Sequence, residues 1–196
     1  MITKPKLVLH VCCAVCGAAL VKVLQEKFQV ILFYYNPNIW PREEYEKRLE
    51  AVVKLSEIYG VILKKGKYEN KLWLKRVKGF ENEPEGGKRC PICFQMRLEK
   101  TADLAKSSGA LYFATTLAIS PFKNEAVINE IAQEVAKDKG LIFLSLADIG
   151  DKNNLWQETR LLAKQYQLYH QKYCGCQFSL AAMSKKQTLA KNKKHL

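Results

Sequence analysis

Five short apolar runs, alternating with amphipathic stretches of ten or more residues, limit the folds open to this chain. Lys6–Val11 (Lys-Leu-Val-Leu-His-Val) reads as a buried strand, and Ala14–Lys27 follows with Ala18, Ala19, Leu20, Val23 and Leu24 at helical spacing. Gln29–Tyr35 is a second strand, ended by Asn36-Pro37-Asn38. Pro41 then opens a long helix with Glu43 and Glu44 in its first turn, stopped by Gly60. Val61–Lys64, Leu111–Leu117 and Leu141–Leu146 complete the strands. Further helices are expected around Lys71–Val77, from Cys90-Pro91 to near Gly109, and over Asn124–Lys137, Trp156–Leu168 and Phe178–Met183. Strands joined by helical crossovers make an α/β fold, a parallel sheet with helices on both faces. One catalytic domain over residues 1–184 and a basic tail over 185–196 are expected. A chain of 196 residues buries roughly 70% of its unfolded surface, so it needs no metal merely to fold.

Seven cysteines fall in three tight groups, Cys12-Cys13-Ala-Val-Cys16, Cys90-Pro-Ile-Cys93 and Cys174-Gly-Cys176. Cysteines kept as small apolar residues would be scattered, whereas close pairs far apart in sequence suit a thiolate-held metal centre. A disulfide framework is disfavoured by the odd count. It is also disfavoured by the opening Met1-Ile-Thr-Lys-Pro, which lacks the n-region and cleavage site of a leader and points to a cytoplasmic protein. A four-cysteine structural zinc site and a metal-free thiol relay stay open. The adjacent Cys12-Cys13 pair counts against zinc, since neighbouring residues seldom address one small ion, and iron–sulfur ligation is favoured.

A formal charge of +13 attracts polyanions and makes nucleic acid the natural partner. Lys64, Lys65, Lys67, Lys71, Lys75, Arg76 and Lys78 are opposed in that stretch only by Glu69, with Tyr68, Trp73 and Phe80 interleaved. The tail carries Lys185, Lys186, Lys191, Lys193 and Lys194 and no acid. A solvated lysine-rich surface is the plainer reading of both tracts. No apolar run approaches the roughly 20 residues of a membrane span, so no membrane association is expected.

Ligands of such sheets bind beyond the carboxyl ends of the strands. Cys12 and Cys13 follow the first strand, Thr115 and Thr116 close the fourth, and Asp148 closes the fifth, which collects chemistry on one rim. Cys90 and Cys93 start a helix, where free N–H groups and the dipole favour thiolates. His10 is either a hydrogen-bonded core histidine or a donor to a cluster sulfur. Thr115, Thr116, Ser120 and Lys123 suit a phosphate or sugar, or serve as an N-cap and a solvated lysine. Asp148 is either a proton donor or iron ligand, or a cap of the following turn.

His10-Val-Cys12-Cys13-Ala14-Val-Cys16, Arg89-Cys90-Pro-Ile-Cys93-Phe-Gln-Met-Arg97-Leu98, Thr115-Thr116-Leu-Ala-Ile-Ser120-Pro121-Phe-Lys123 and Tyr173-Cys174-Gly175-Cys176-Gln-Phe178-Ser179 together resemble the QueH-type epoxyqueuosine reductases over nearly the whole chain. The resemblance implies a fold similar to the PP-loop (HUP) nucleotide-binding class. It also implies cobalamin-independent reduction of epoxyqueuosine to queuosine in the tRNA anticodon, at a 4Fe-4S cluster with an adjacent iron and electrons from an external donor. Val15 stands where the family often has Pro, and no Ser-Gly-Gly-x-Asp-Ser loop follows the first strand, so ATP chemistry is not implied. With the residue readings, this assigns Cys12, Cys13, Cys90, Cys93, Cys174 and Cys176 to metal and Cys13, Cys16 and Asp148 to catalysis. Substrate falls to Thr115, Thr116, Ser120, Lys123 and Tyr35, with Tyr34, Tyr35 or Trp40 as stacking partners for the base. The rival from another class is a nucleic-acid-binding module with a structural zinc.

Overall fold

A computed structural model describes the backbone of residues 3–192 and the side chains of residues 3–185. Strand β1 (Lys6–His10) is the centre of a five-stranded sheet of order β3-β2-β1-β4-β5, with β2 Gln29–Tyr34, β3 Ile62–Lys65, β4 Tyr112–Thr115 and β5 Ile142–Leu144. Every pairing is parallel. Leu7, Val8 and Leu9 are wholly buried because a central parallel strand is covered on both faces, which is why β1 reads as a continuous apolar run.

Helices α1 (Ala14–Lys27) and α2 (Arg42–Tyr59) carry the chain from β1 to β2 and on to β3. After α3 (Asn70–Arg76), α4 (Arg89–Ser107) returns it to β4, on the other side of β1, and α5 (Glu125–Lys139) leads to β5. Right-handed crossovers in opposite directions put α1 and α2 on one face and α4 and α5 on the other. Three more helices follow: α6 (Leu146–Ile149), α7 (Lys152–Gln165), which packs on α1, and α8 (Gln177–Asn192). Gly60 closes α2 in the left-handed conformation at φ 61°, open to glycine without a steric penalty. Among the described residues no helix is long and apolar enough to cross a membrane.

The direction of winding reverses between β1 and β4, and the crevice at their carboxyl ends is where such sheets receive ligands. His10 and Thr115 are register partners there, and Thr116 donates its N–H to the His10 carbonyl at 3.0 Å. The first cysteine group and the Thr115-Thr116 pair are therefore fastened to each other by the sheet itself.

Three elements differ from expectation. The fourth strand stops at Thr115 because Leu117–Ile119 wind into a 3-10 turn. The fifth stops at Leu144 because Ser145 and Asp148 form a capping box that starts α6. The last helix continues through the expected boundary at 184 and 185 to Asn192. Lys185 is exposed; the side chains of Lys186, Lys191, Lys193 and Lys194 lie outside the described residues, as do the last four positions altogether. Trp73 of the basic stretch is buried beside Phe178, with ring centres 6.0 Å apart, and is not free to stack on a base.

Candidate metal centre

Cysteine caps the start of two helices at this crevice and lies near the start of a third. Cys13, in extended conformation, is the N-cap of α1, and its sulfur accepts the Cys16 N–H at 3.4 Å. Cys176 does the same before α8, accepting the Ser179 N–H at 3.4 Å. Cys90 and Cys93 occupy the first turn of α4, and Cys90 Sγ accepts the Gly86 N–H at 3.2 Å. A sulfur in the place of the usual Ser or Asp cap receives the free N–H groups and the positive end of the helix dipole, both of which favour thiolate.

The sulfurs of Cys12, Cys13 and Cys16 lie within 4.8 Å of one another and are all buried. Cys12 is tied to β4 twice: its N–H donates to Thr116 Oγ1 at 3.1 Å, and the Thr116 hydroxyl donates to its sulfur at 3.3 Å. Hydrogen bonds from Cys13 and Cys16 hold the Cys12 thiol well below the ordinary thiol range, with Lys123 and Thr116 adding to the effect. Its bond to Cys12 pushes Cys13 up to about 12, and Cys16 is likewise raised by its bonds to Cys12 and Cys13. Gln171 donates to Cys13 Sγ at 3.1 Å from the other side.

Cys174 joins the two ends of the site. With Cys90, Phe122 and Lys123 it lines one small cavity, and with Cys16, Ser120, Phe122 and Lys123 it lines the neighbouring cleft of about 300 Å³. Two cations stand among the thiols. Arg97, 2% exposed, donates from Nη2 to Cys93 Sγ at 3.3 Å and from Nε to the Cys93 carbonyl at 3.1 Å. Burial works against both cations, yet the surrounding thiols raise Arg97 and Lys123 above their ordinary values: Cys93 and Cys174 foremost for Arg97, Cys174 and Cys12 for Lys123. A buried arginine and a half-buried lysine beside thiols make this pocket favourable to negative charge. All seven cysteines are free. A thiolate-held, anionic iron–sulfur group fits this donor set, with its helix ends and cations.

The expected site residues divide into two sets. Among the described residues Cys12, Cys13 and Cys16 form one group with sulfurs within 4.8 Å of one another, while Cys16, Cys174, Ser120 and Lys123 share the cleft and Cys90 lines the cavity beside it. Thr115 and Thr116 lie beneath the cysteines: Thr116 serves Cys12, while Thr115 bonds His10 Nδ1 at 3.0 Å and accepts the Leu117 N–H at 3.2 Å. His10 Nε2 meets the Tyr35 carbonyl at 3.2 Å, which fixes the proton on Nε2 and makes Nδ1 the acceptor of the Thr115 hydroxyl. Burial and then Arg97 lower His10 to about 4, so it is a neutral core residue, and its described bonds reach no sulfur. Tyr35 is 1% exposed, with its hydroxyl on Glu69 at 2.8 Å, and Tyr34 is fully buried; neither is open to a base, whereas Trp40 is 43% exposed. Asp148 is exposed, and its carboxylate accepts both the N–H and the hydroxyl of Ser145, at 2.8 and 2.6 Å, which makes it a helix cap.

Arg97, Gln171, Phe122 and Arg48 had no role from the sequence. Arg48 lies on α2, where it pairs with Glu44 at 2.8 Å and donates to the carbonyls of Cys174 and Tyr173, both at 3.0 Å. It grips the third cysteine loop from a distance of more than a hundred residues, which no local pattern announces. Phe122 is 79% exposed beside Lys123, and a large exposed apolar residue within a motif was the available signal.

The family pattern described as Epoxyqueuosine reductase QueH matches residues 7–182. The chain is 38% identical over 175 residues to the epoxyqueuosine reductase QueH of Thermotoga maritima, covering 88% of each. It is 34% identical over 182 residues to that of Streptococcus pyogenes, covering 90% of this chain and 71% of the relative. It is 37% identical over 182 residues to that of Acinetobacter baylyi, covering 89% and 80%. Among solved structures, the U34-tRNA thiolase NcsA from Methanococcus maripaludis, with its 4Fe-4S cluster, superposes at a TM-score of 0.57. It covers 97% of this chain and 68% of the other at 16% identity, a likeness of fold. The match of the family pattern over residues 7–182, together with relatives 34–38% identical over most of the chain, makes this chain a member of the epoxyqueuosine reductase QueH family.

Proposed function

We propose that this protein reduces epoxyqueuosine to queuosine in the anticodon of tRNA, using a 4Fe-4S cluster and an external electron donor, without cobalamin. The observation that carries the reading is that Cys174, Lys123 and an exposed Phe122 are shared by two neighbouring cavities, one reaching Cys90 and the other Cys16. The removal of the epoxide oxygen as water takes two electrons and two protons and leaves an alkene. Cys12, Cys13, Cys90, Cys93, Cys174 and Cys176 are the candidate ligands of the cluster and of any adjacent iron, and such a group supplies electrons one at a time.

The chain's own residues do the rest. Phe122 offers a ring at the mouth of the cleft on which an unpaired base can stack. Lys123 Nζ and Ser120 Oγ line the cleft and bind the epoxide oxygen and its neighbouring hydroxyls. Lys123 carries a proton at Nζ and Cys16 one at Sγ, which provides the two that leave with oxygen. Asp148 is assigned to the α6 cap instead of to proton transfer. Arg97 and Arg48 hold the second and third cysteine groups in position.

Protein prepared without air should contain iron and acid-labile sulfide, at about four each per chain. With a low-potential reductant and no cobalamin, it should convert epoxyqueuosine-containing tRNA over many turnovers. Stoichiometric zinc with no sulfide overturns the reading, as does cluster-loaded, reduced protein that binds this tRNA and leaves it unchanged.

A further inference from the structure

A second concave surface lies across the third cysteine loop from the cleft. It has a volume of about 600 Å³ and is lined by Trp40, Arg42, Lys67, Tyr68, Lys71 and Leu72. Trp40 and Leu72 are 43% and 40% exposed and line the same groove, so their apolar surfaces lie side by side instead of singly. The walls are held in place. Tyr68 donates its hydroxyl to the Ile39 carbonyl at 2.6 Å, Asn70 Nδ2 donates to the Pro37 carbonyl at 2.8 Å, and the Arg42 guanidinium lies 4.5 Å over the Tyr68 ring. Glu69, the acid in the groove, is taken up by the Tyr35 hydroxyl, and Arg42 is paired with Glu46. Lys67 and Lys71 are exposed, so the surface available to a ligand is aromatic and positive.

The groove is joined to the cleft through one residue. The Trp40 N–H donates to the Gly175 carbonyl at 2.8 Å, and the Trp40 carbonyl accepts the Tyr173 hydroxyl. Tyr173 and Cys174 in turn line the cleft. A polynucleotide whose target base enters the cleft would pass over Tyr173 and reach the Trp40 ring next.

Resting on the tRNA reading above, we propose that this groove is a second nucleotide subsite. Trp40 and Leu72 take the face of an unpaired nucleotide adjacent to the target in the same RNA loop, and Lys67 and Lys71 take its phosphates. The site needs no sequence-specific contact: Asn70 Nδ2 already donates to Pro37, and stacking accepts any base. Its role is to anchor the loop so that the target nucleotide is presented to the cleft.

The test uses anaerobically prepared protein with a low-potential reductant and an epoxyqueuosine-containing anticodon stem-loop RNA in two forms, one intact and one with an abasic nucleotide beside the target position, with affinity read by fluorescence anisotropy. Trp40→Ala should weaken binding of the intact RNA about tenfold or more, Trp40→Phe should recover most of that loss, and iron and sulfide should stay at the wild-type level. The abasic RNA should bind wild type weakly and be indifferent to Trp40→Ala. The double variant Lys67→Gln, Lys71→Gln, remote from the cysteine loop, should weaken both RNAs and flatten the salt dependence. Equal affinity of wild type and both variants for the intact RNA overturns the subsite. So does equal affinity of wild type for the two RNAs. Wild-type protein that binds these RNAs with the expected discrimination but reduces none removes the reductase reading and leaves the subsite standing.

Discussion

Lys123 sits where its charge serves the thiols and the cleft at once. It lines both cavities, and its ammonium is stabilised by Cys174, Cys12 and Cys16. Replacement by alanine should therefore lower turnover on tRNA by about a hundredfold, the scale of a lost positioned proton donor, while iron and sulfide content stay unchanged. Single-turnover assays beside metal analysis check this; loss of the metal together with activity would make Lys123 a structural residue. At this scale the cysteines were legible because their spacing has few other uses. Thr115 and Thr116 were legible as a site and not as a role, since only burial separates a hydroxyl that faces substrate from one that donates to Cys12. Arg97 read as one arginine among many basic residues, and its hydrogen bond to Cys93 is a property of the helix face that it shares with that cysteine, four residues earlier.

Among the elements, the loop carrying Cys174, Gly175 and Cys176 shows how much of the site is positional. Gly175 adopts φ 133°, and a Cβ there would stand 3.1 Å from both Arg48 Nη1 and Ile39 Cγ1. Gly175→Ala should destabilise the protein by roughly 1–3 kcal/mol, measured by urea unfolding, and should lower its iron content, because the strained loop carries two of the candidate ligands. Arg48 and Glu44 brace the same loop as a buried pair, with Tyr169 donating to Glu44 Oε2 at 2.7 Å. The helices were legible from their apolar spacing and caps. The ends of β4 and β5 were not, because the apolar Leu117–Ile119 turn follows β4 directly, and Ser145-x-x-Asp148 is a helix start written directly after β5 with an apolar run through it. That overlap left Asp148 readable as either a cap or a proton donor, and the structure shows it capping α6.

At the scale of the whole molecule, the alternation of strands and helices announced a parallel sheet, but not the reversal at β1 that makes the crevice. Strand order is set by which face each crossover helix covers, and that depends on packing between α4 and α5 and between α1 and α7, the latter pair far apart in sequence. The net charge of +13 belongs to this scale too, and its structural distribution sharpens what salt should do. Lys71 and Lys75 are exposed, whereas Arg76 is paired with Glu99 at 3.1 Å. An arginine already neutralised releases fewer counterions from RNA than a free lysine does. Lys71→Gln together with Lys75→Gln should reduce the slope of log affinity for tRNA against log salt by roughly one to two, at about 0.7–0.9 for each phosphate no longer neutralised. Adding Arg76→Gln should change the slope little further. Affinities measured from low to moderate salt decide the matter. A slope that stays at the wild-type value in the double variant would assign Lys71 and Lys75 to solubility and leave the electrostatic footprint to the cleft beside Lys123.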